Sequence, residues 1–252
     1  MKLFLVTISA ILLSVGSNAQ QLYITKGKIE YEKLVNTHKV MDESWGGSDK
    51  SMLEMFKKNI PAVGTSYFDL YFDNEKSLYK PGREVQITQR PPDWAGGQAN
   101  DNVVFNDLGK QTTTTQKNVY ENTYLVQDSL RTLKWKITNE TRTIAGLECR
   151  RATAVMMDSV FVVAFFTEQI LCTSGPEGFN GLPGMILGLA IPRLHMTWYA
   201  SKLELINVKD TDLAVPKKGK PINNKDLQKQ LQDLMKNWGG STPQRNIWQI
   251  MI

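Results

Sequence analysis

The sequence predicts a mainly β protein: a single curled antiparallel sheet, half-barrel or barrel, with a short helix in the N-terminal half and an amphipathic helix near the C-terminus. Three observations predict it. Roughly nine or ten runs of strand length recur at short spacing, several with strict apolar/polar alternation. The connections between them are too short for helical crossovers, which selects antiparallel pairing. After Pro216 the period changes from two to a helical stripe.

The chain opens with Lys2, an almost wholly apolar run from Leu3 to Val15, and small residues at Ser17 and Ala19. That order of basic, apolar and small segments is a secretory signal over residues 1–19. The run is shorter than the roughly 20 residues a spanning helix needs. No cysteine lies near the cleavage point, so the reading is an exported protein of the periplasm or outer-membrane periphery, not a lipoprotein. Residues 20–216 form the β-rich domain. Residues 217–252 form a basic linker, an amphipathic helix and an apolar tail.

Residues 21–35, with Leu22, Ile24, Ile29, Tyr31 and Leu34 among polar neighbours, predict the first strand, broken over 41–47. Residues 51–58 place Met52, Met55 and Phe56 at helical spacing, with Pro61 beyond the helix end. Residues 65–72 alternate cleanly, Tyr67, Asp69 and Tyr71 against Phe68, Leu70 and Phe72; residues 73–76 turn and 77–80 resume. Residues 90–101, rich in proline and glycine around Trp94, predict a loop. Residues 102–120 predict two strands joined at Asp107-Leu108-Gly109, the second containing the β-branched run 112–115. Residues 124–130 and 132–139 predict another pair, and 143–155 with 160–167 a hairpin. The apolar runs 160–166 and 185–191 suit buried strands, and 196–208 a final strand pair or one long strand. Leu227, Leu231, Leu234 and Trp238 mark a helix over 224–238, ended by Gly239-Gly240 and expected to pack its stripe on the sheet. The apolar end, 247–252, is expected to add an edge strand or enter the core.

Lys+Arg is 30 and Asp+Glu is 25; removing Lys2 with the signal leaves 29 − 25 = +4. The basic residues are spread, apart from Lys217, Lys218 and Lys220, so no nucleic-acid partner is expected. Cys149 and Cys172 are the two cysteines. An oxidising compartment favours a disulfide between them, closing roughly two dozen residues and contributing about 3 kcal/mol by chain entropy. Register opposes it. If Asp158-Ser159 turns a simple hairpin, the pair is about four residues out of step, near 13 Å, against a usual limit of about 7 Å. Two separate buried thiols are the alternative. His38 and His195 are distant in sequence, so no zinc site or other metal is expected, and no cofactor motif is present.

The sharpest local signal is the bent, glycine- and proline-rich segment 175–187. Gly175, Pro176, Phe179, Gly181, Leu182, Pro183 and Gly184 are its candidate binding residues, expected at the rim of a cavity. Pro183-Gly184 is a turn dipeptide, and glycines admit close approach of a partner.

The motif Gly181-Leu182-Pro183-Gly184-Met185-Ile186-Leu187, preceded by 174–180, resembles the signature of the GLPGLI family of exported Bacteroidota proteins. Trp135-Lys136-Ile137 and Ile144-Ala145-Gly146-Leu147-Glu148-Cys149 resemble its upstream pattern, so the likeness spans about residues 131–190. Met185 replaces a leucine, a volume-conserving swap. Leu147 stands where an aromatic is usual, and Ala164-Phe165-Phe166 where the family shows alanine-tryptophan-tyrosine. A reaction that needed that tyrosine hydroxyl would be missing here. The resemblance implies no established activity; it implies a companion role to TonB-dependent outer-membrane systems.

Neither histidine sits in a nucleophile-elbow context, and no catalytic residue is assigned. Asp69, Glu140, Glu148 and Glu168 are candidates for a carboxylate pair in an envelope hydrolase. Trp45, Trp94, Trp135 and Trp198 suit stacking on a sugar or closing a lipid cavity, though large aromatics in a β domain are more often core. The preferred expectation is a non-enzymatic envelope binding or accessory protein, with an apolar ligand or an outer-membrane receptor or other envelope protein as partner. A hydrolase and a purely structural component are the alternatives.

Overall fold

Alternation decides the central strand. β1 (Gly27–Asn36) buries every second residue, Ile29, Tyr31, Lys33 and Val35 facing one way. Its neighbours β2 (Val63–Phe72) and β3 (Lys76–Pro81) continue the same inner face with Phe68, Leu70, Phe72 and Tyr79. The chain then adds β4 (Val103–Asp107), β5 (Thr112–Val119) and β6 (Asn122–Ser129), each antiparallel to the last. The second half is built from the opposite edge inward: β7 (Lys136–Ile144), β8 (Leu147–Met156), β9 (Val160–Thr167), β10 (Met185–Ile191) and β11 (Met196–Glu204), which closes on β1. The computed structural model describes residues 23–44, 50–84, 101–236 and 242–252. Residues 1–19, expected to be a signal, residues 90–100 of the expected loop, Trp45, and Trp238 with the two glycines after it lie outside them.

Among the described residues the result is one open 12-stranded sheet in the order β12-β6-β5-β4-β3-β2-β1-β11-β10-β9-β8-β7. The passage from β6 to β7 dictates its curl. Laid flat, the ten strand-to-strand steps between them would cover about 48 Å. The six residues 130–135 reach at most about 21 Å when extended. The sheet must therefore curl until its two flanks face each other, and this segment crosses the concavity. That corrects one expectation: 124–130 and 132–139 are not a strand pair but lie on opposite flanks.

Short helices finish the shell. α1 (Thr37–Ser44) follows β1 directly, where only a break was expected, and buries Val40 and Met41. α2 (Lys50–Asn59) matches the expected helix, but Leu53 is its buried residue, while Met52 and Met55 are exposed. β12 (Lys220–Ile222), within the expected linker, pairs parallel to β6. α3 (Asn224–Met235) begins at Asn223, whose side chain accepts from the backbone N–H of Asp226. It buries Leu227, Leu231 and Met235; Leu234, expected in the stripe, is exposed. α4 (Thr242–Met251) replaces the expected edge strand and takes Ile247, Ile250 and Met251 into a cluster with α3, Val119 and Val126. No helix among the described residues is long and apolar enough to cross a membrane.

The main core fills the concavity with side chains of β1, β2 and β8–β11. The segment 172–184 lies inside it, with Phe179 and Leu182 almost fully buried. Its backbone can be buried because its polar groups are paired. Ile186 N–H donates to Ser174 O at 2.8 Å and Phe179 N–H to Pro176 O at 3.1 Å. Gly184 is obligatory: at φ +134° a Cβ would sit 2.0 Å from Thr167 O.

Candidate ligand-binding cavity

Two inward positions on otherwise regular strands carry lysine. Lys33 is in phase with Tyr31 and Val35 on β1, and Lys117 with Thr115 and Val119 on β5; both are buried. The crossing segment supplies Arg131. All three converge on Glu177, the one acid of the inner segment, itself buried. Glu177 adopts φ 52°, a left-handed conformation that costs a non-glycine residue on the order of 1 kcal/mol and aims the carboxylate inward.

The contacts are specific. Lys33 Nζ lies 3.4 Å from Glu177 Oε1, and Asn102 Nδ2 donates to Oε2 at 2.9 Å. The Lys33 ammonium also stands over the rings of Trp198, at 5.1 Å, and Phe68, at 5.6 Å. Trp198 Nε1 donates to the Tyr79 hydroxyl at 3.1 Å. Burial, and next the charge of Glu177, push the Tyr79 phenol well above its ordinary range. Lys117 Nζ donates to Ile250 O at 2.6 Å. Arg131 Nη2 donates to Met251 O at 3.0 Å and Ile252 O at 2.9 Å, and its guanidinium lies 4.6 Å from the Phe179 ring centre. Burial, reinforced by Arg131 and Lys33, brings Lys117 down to about 7 against the pull of Glu177. Burial likewise lowers Arg131, to about 10. Among the described residues, the buried atoms Arg131 Nη1, Asn102 Oδ1 and Asn106 Oδ1 make no hydrogen bond.

A cavity of about 650 Å³ adjoins this cluster. Its walls come from β4–β6 on one flank, the β8–β9 turn on the other, the crossing segment, and the C-terminal end of α4. Its lining holds the charged residues Lys117, Arg131, Glu177, Asp128 and Asp158 and the apolar residues Val104, Val126, Leu130, Leu133 and Met156. Exposed Thr132, Val155, Asp158 and Gln228 mark its mouth. That size fits a small-molecule site. A second hollow of about 660 Å³ lies outside, between β12 and α3, and its lining includes Ile222, Asp226, Lys229 and Asp233.

Of the expected binding segment, Gly175, Pro176, Phe179, Leu182 and Gly184 are buried and Gly181 and Pro183 exposed. Glu177 and Gly178, not singled out from sequence, are the two residues of the segment that line the cavity. The expected Cys149–Cys172 disulfide is not formed: both are free, buried thiols. Register is the reason. β8 and β9 pair Arg150 with Phe166, so Cys149 stands opposite Thr167 and Cys172 lies 172 − 167 = 5 residues further on. Cys149 Sγ faces Leu147 O at 3.5 Å and Cys172 Sγ faces Lys76 O at 3.9 Å. Burial pushes Cys149 up to about 11 and Cys172 higher still.

The other candidates do not come together. Asp69 pairs with Lys28, Glu140 with Arg142 and Arg151, and Glu168 with Arg150; Glu148 is exposed opposite Thr143 on β7. His38 Nε2 is 2.8 Å from Ile60 O and His195 Nε2 2.9 Å from Glu43 Oε1, at helix junctions outside the cavity. Trp135 Nε1 donates to Asn180 O at 2.9 Å and helps hold the inner segment; Trp198 is core. Among the described residues no group of three or more His, Cys, Asp or Glu side chains is placed to hold a metal ion.

Residues 154–188 match the family described as "Protein of unknown function (Porph_ging)". That stretch runs from β8 through the inner segment to β10. No curated protein matches the chain. The fold is similar to that in two structures of PNGF-II, in space groups C2 and P21. The TM-scores are 0.51 and 0.53, both at 12% identity, over 89% and 82% of this chain. This chain spans 33% of either PNGF-II chain, and the likeness is one of fold alone.

Proposed function

We propose that this chain is an exported cell-envelope binding or accessory protein of the GLPGLI type, without catalytic activity of its own, serving a TonB-dependent outer-membrane system. The observation that carries the binding role is the cavity of about 650 Å³ against the inner segment, with both charged and apolar side chains in its lining. Export is supported by the basic, apolar and small-residue order of residues 1–19. The GLPGLI assignment is supported by residues 181–187 and by the overlap of that motif with the matched stretch 154–188.

The inner segment has a clear part in such a role. Its buried bends bring Glu177 to the cations of two strands, so motif and cavity form one unit. The cavity wall is more charged than the apolar lining expected from sequence, which favours ligands with a polar head. The test is native mass spectrometry of the protein purified from its own cell envelope. A co-purifying small molecule or envelope protein is the expected result. A bare monomer that turns over envelope glycans or esters would overturn the reading.

A further inference from the structure

We propose that the cavity binds an amphiphilic anion, its carboxylate or phosphate head against Arg131 and Lys117 and its apolar part along Val126, Leu130, Leu133 and Met156. This rests on the binding role above and names the chemistry of the ligand.

The argument begins with charge. Lys33, Lys117 and Arg131 lie around one buried acid, Glu177, which Lys33 engages directly. Lys117 Nζ donates to Ile250 O, and Arg131 Nη2 donates to Met251 O and to Ile252 O. Of the other acids lining the cavity, Asp158 is exposed at the mouth, and half-buried Asp128 accepts from the backbone N–H groups of Ser129 and Asn224. Three basic side chains thus lie around one buried carboxylate, and Lys33 is the one that contacts it directly.

Capping the C-terminus of α4 accounts for the bonds from Arg131 Nη2 and Lys117 Nζ. It leaves Arg131 Nη1 buried and unpartnered. A buried guanidinium nitrogen without an acceptor is unfavourable, and a carboxylate or phosphate oxygen relieves it. The second half of the argument is apolar. Val126, Leu130, Leu133 and Met156 line the same cavity, which at about 650 Å³ is larger than a bare inorganic anion requires. A lining that holds both cationic and apolar side chains suits an amphiphile.

The experiment is isothermal titration calorimetry of the mature chain with dodecanoate and dodecyl phosphate below their micellar concentrations. Dodecanol, acetate and inorganic phosphate are the comparisons. We expect at least one anionic amphiphile to bind ten-fold or more tightly than dodecanol and than the bare anions; the tighter of the two identifies the head. Arg131→Gln should weaken binding at least ten-fold, and Thr132→Trp, at an exposed lining position, should block it. If Arg131→Gln fails to fold by circular dichroism, Lys117→Met serves in its place with the same expectation. Equal binding of dodecanol, no binding of either amphiphile, or undiminished binding by a folded Arg131→Gln or Lys117→Met variant overturns the proposal. If the protein from its own envelope carries a different, uncharged molecule, the ligand class falls while the binding role stands.

Discussion

Replacing Lys117 by methionine should change the stability of the fold in a way that depends on pH. The lysine falls from its ordinary 10.5 to about 7 in the folded chain, first through burial and then through Arg131 and Lys33. In the unfolded chain it returns to the ordinary value. Between about pH 7 and 10.5 the unfolded chain thus binds more protons than the folded one, and stability rises with pH across that window. Below pH 7 the lysine is charged in both states and the penalty is fully present. Working through the two values, the wild-type chain should gain about 2–3 kcal/mol relative to the methionine variant between pH 6 and 9. The variant also loses the bond to Ile250 O, which costs about 1–3 kcal/mol at every pH and shifts the difference without tilting it. Urea denaturation of both chains at pH 6, 7, 8 and 9 reads the tilt directly. A stability difference that stays flat, or moves the other way, would refute the reasoning that Lys117 is buried among cations.

The remaining expectations concern neighbouring parts of the same account. Glu177→Gln leaves Lys33 buried without its carboxylate and should destabilise by about 3–5 kcal/mol in chemical denaturation; an effect below about 1 kcal/mol would mean the pair is not enclosed. Gly184→Ala drives a methyl group to within 2.0 Å of Thr167 O at a left-handed φ and should cost several kcal/mol, about 3 or more, read as a lowered melting temperature. Leu231→Ala should cost about 2–4 kcal/mol, while Leu234→Ala, at a position 56% exposed, should fall within about 0.5 kcal/mol of wild type. Cys149 and Cys172 should react slowly with a thiol reagent in the native chain and fully in urea; a mass about 2 Da low before reduction would mean a disulfide after all.

Much of the sheet was legible because its strands obey a two-residue period. β2, β8, β9 and β10 fall within a few residues of their expected places, and β1 ends where expected but starts six residues later, at Gly27, since Ile29, Tyr31 and Val35, or Phe68, Leu70 and Phe72, can face one core only in that register. The β6–β7 junction was misread for a physical reason. A polar stretch between two strand-like runs looks like a hairpin turn locally. Only long-range pairing reveals that Leu130 to Trp135 cross the concavity. α3 was found, but its buried face was set one residue off, because Leu234 is as apolar as Met235 and the helix orientation is chosen by Val119, Val126 and α4.

The site was half legible. The bent segment 175–184 was recognised as special, yet expected at a rim, because loops rich in glycine and proline usually run on the surface. Here Ser174, Asn180 and the segment's own carbonyls satisfy the backbone, so it can lie inside. Lys33 and Lys117 carried a readable signal: each is a lysine in the inward phase of an alternating strand, between Tyr31 and Val35 or between Thr115 and Val119. Arg131 had none, because its place depends on the crossing segment. The cysteines show two arguments in conflict, compartment for a bond and register against it, and register prevailed.

The most direct test of the account is a crystal structure of the chain grown with dodecanoate. The account predicts the carboxylate within hydrogen-bond distance of Arg131 Nη1, with the hydrocarbon chain beside Leu130 and Met156. An empty cavity at saturating ligand, or dodecanoate bound elsewhere on the sheet, would contradict it.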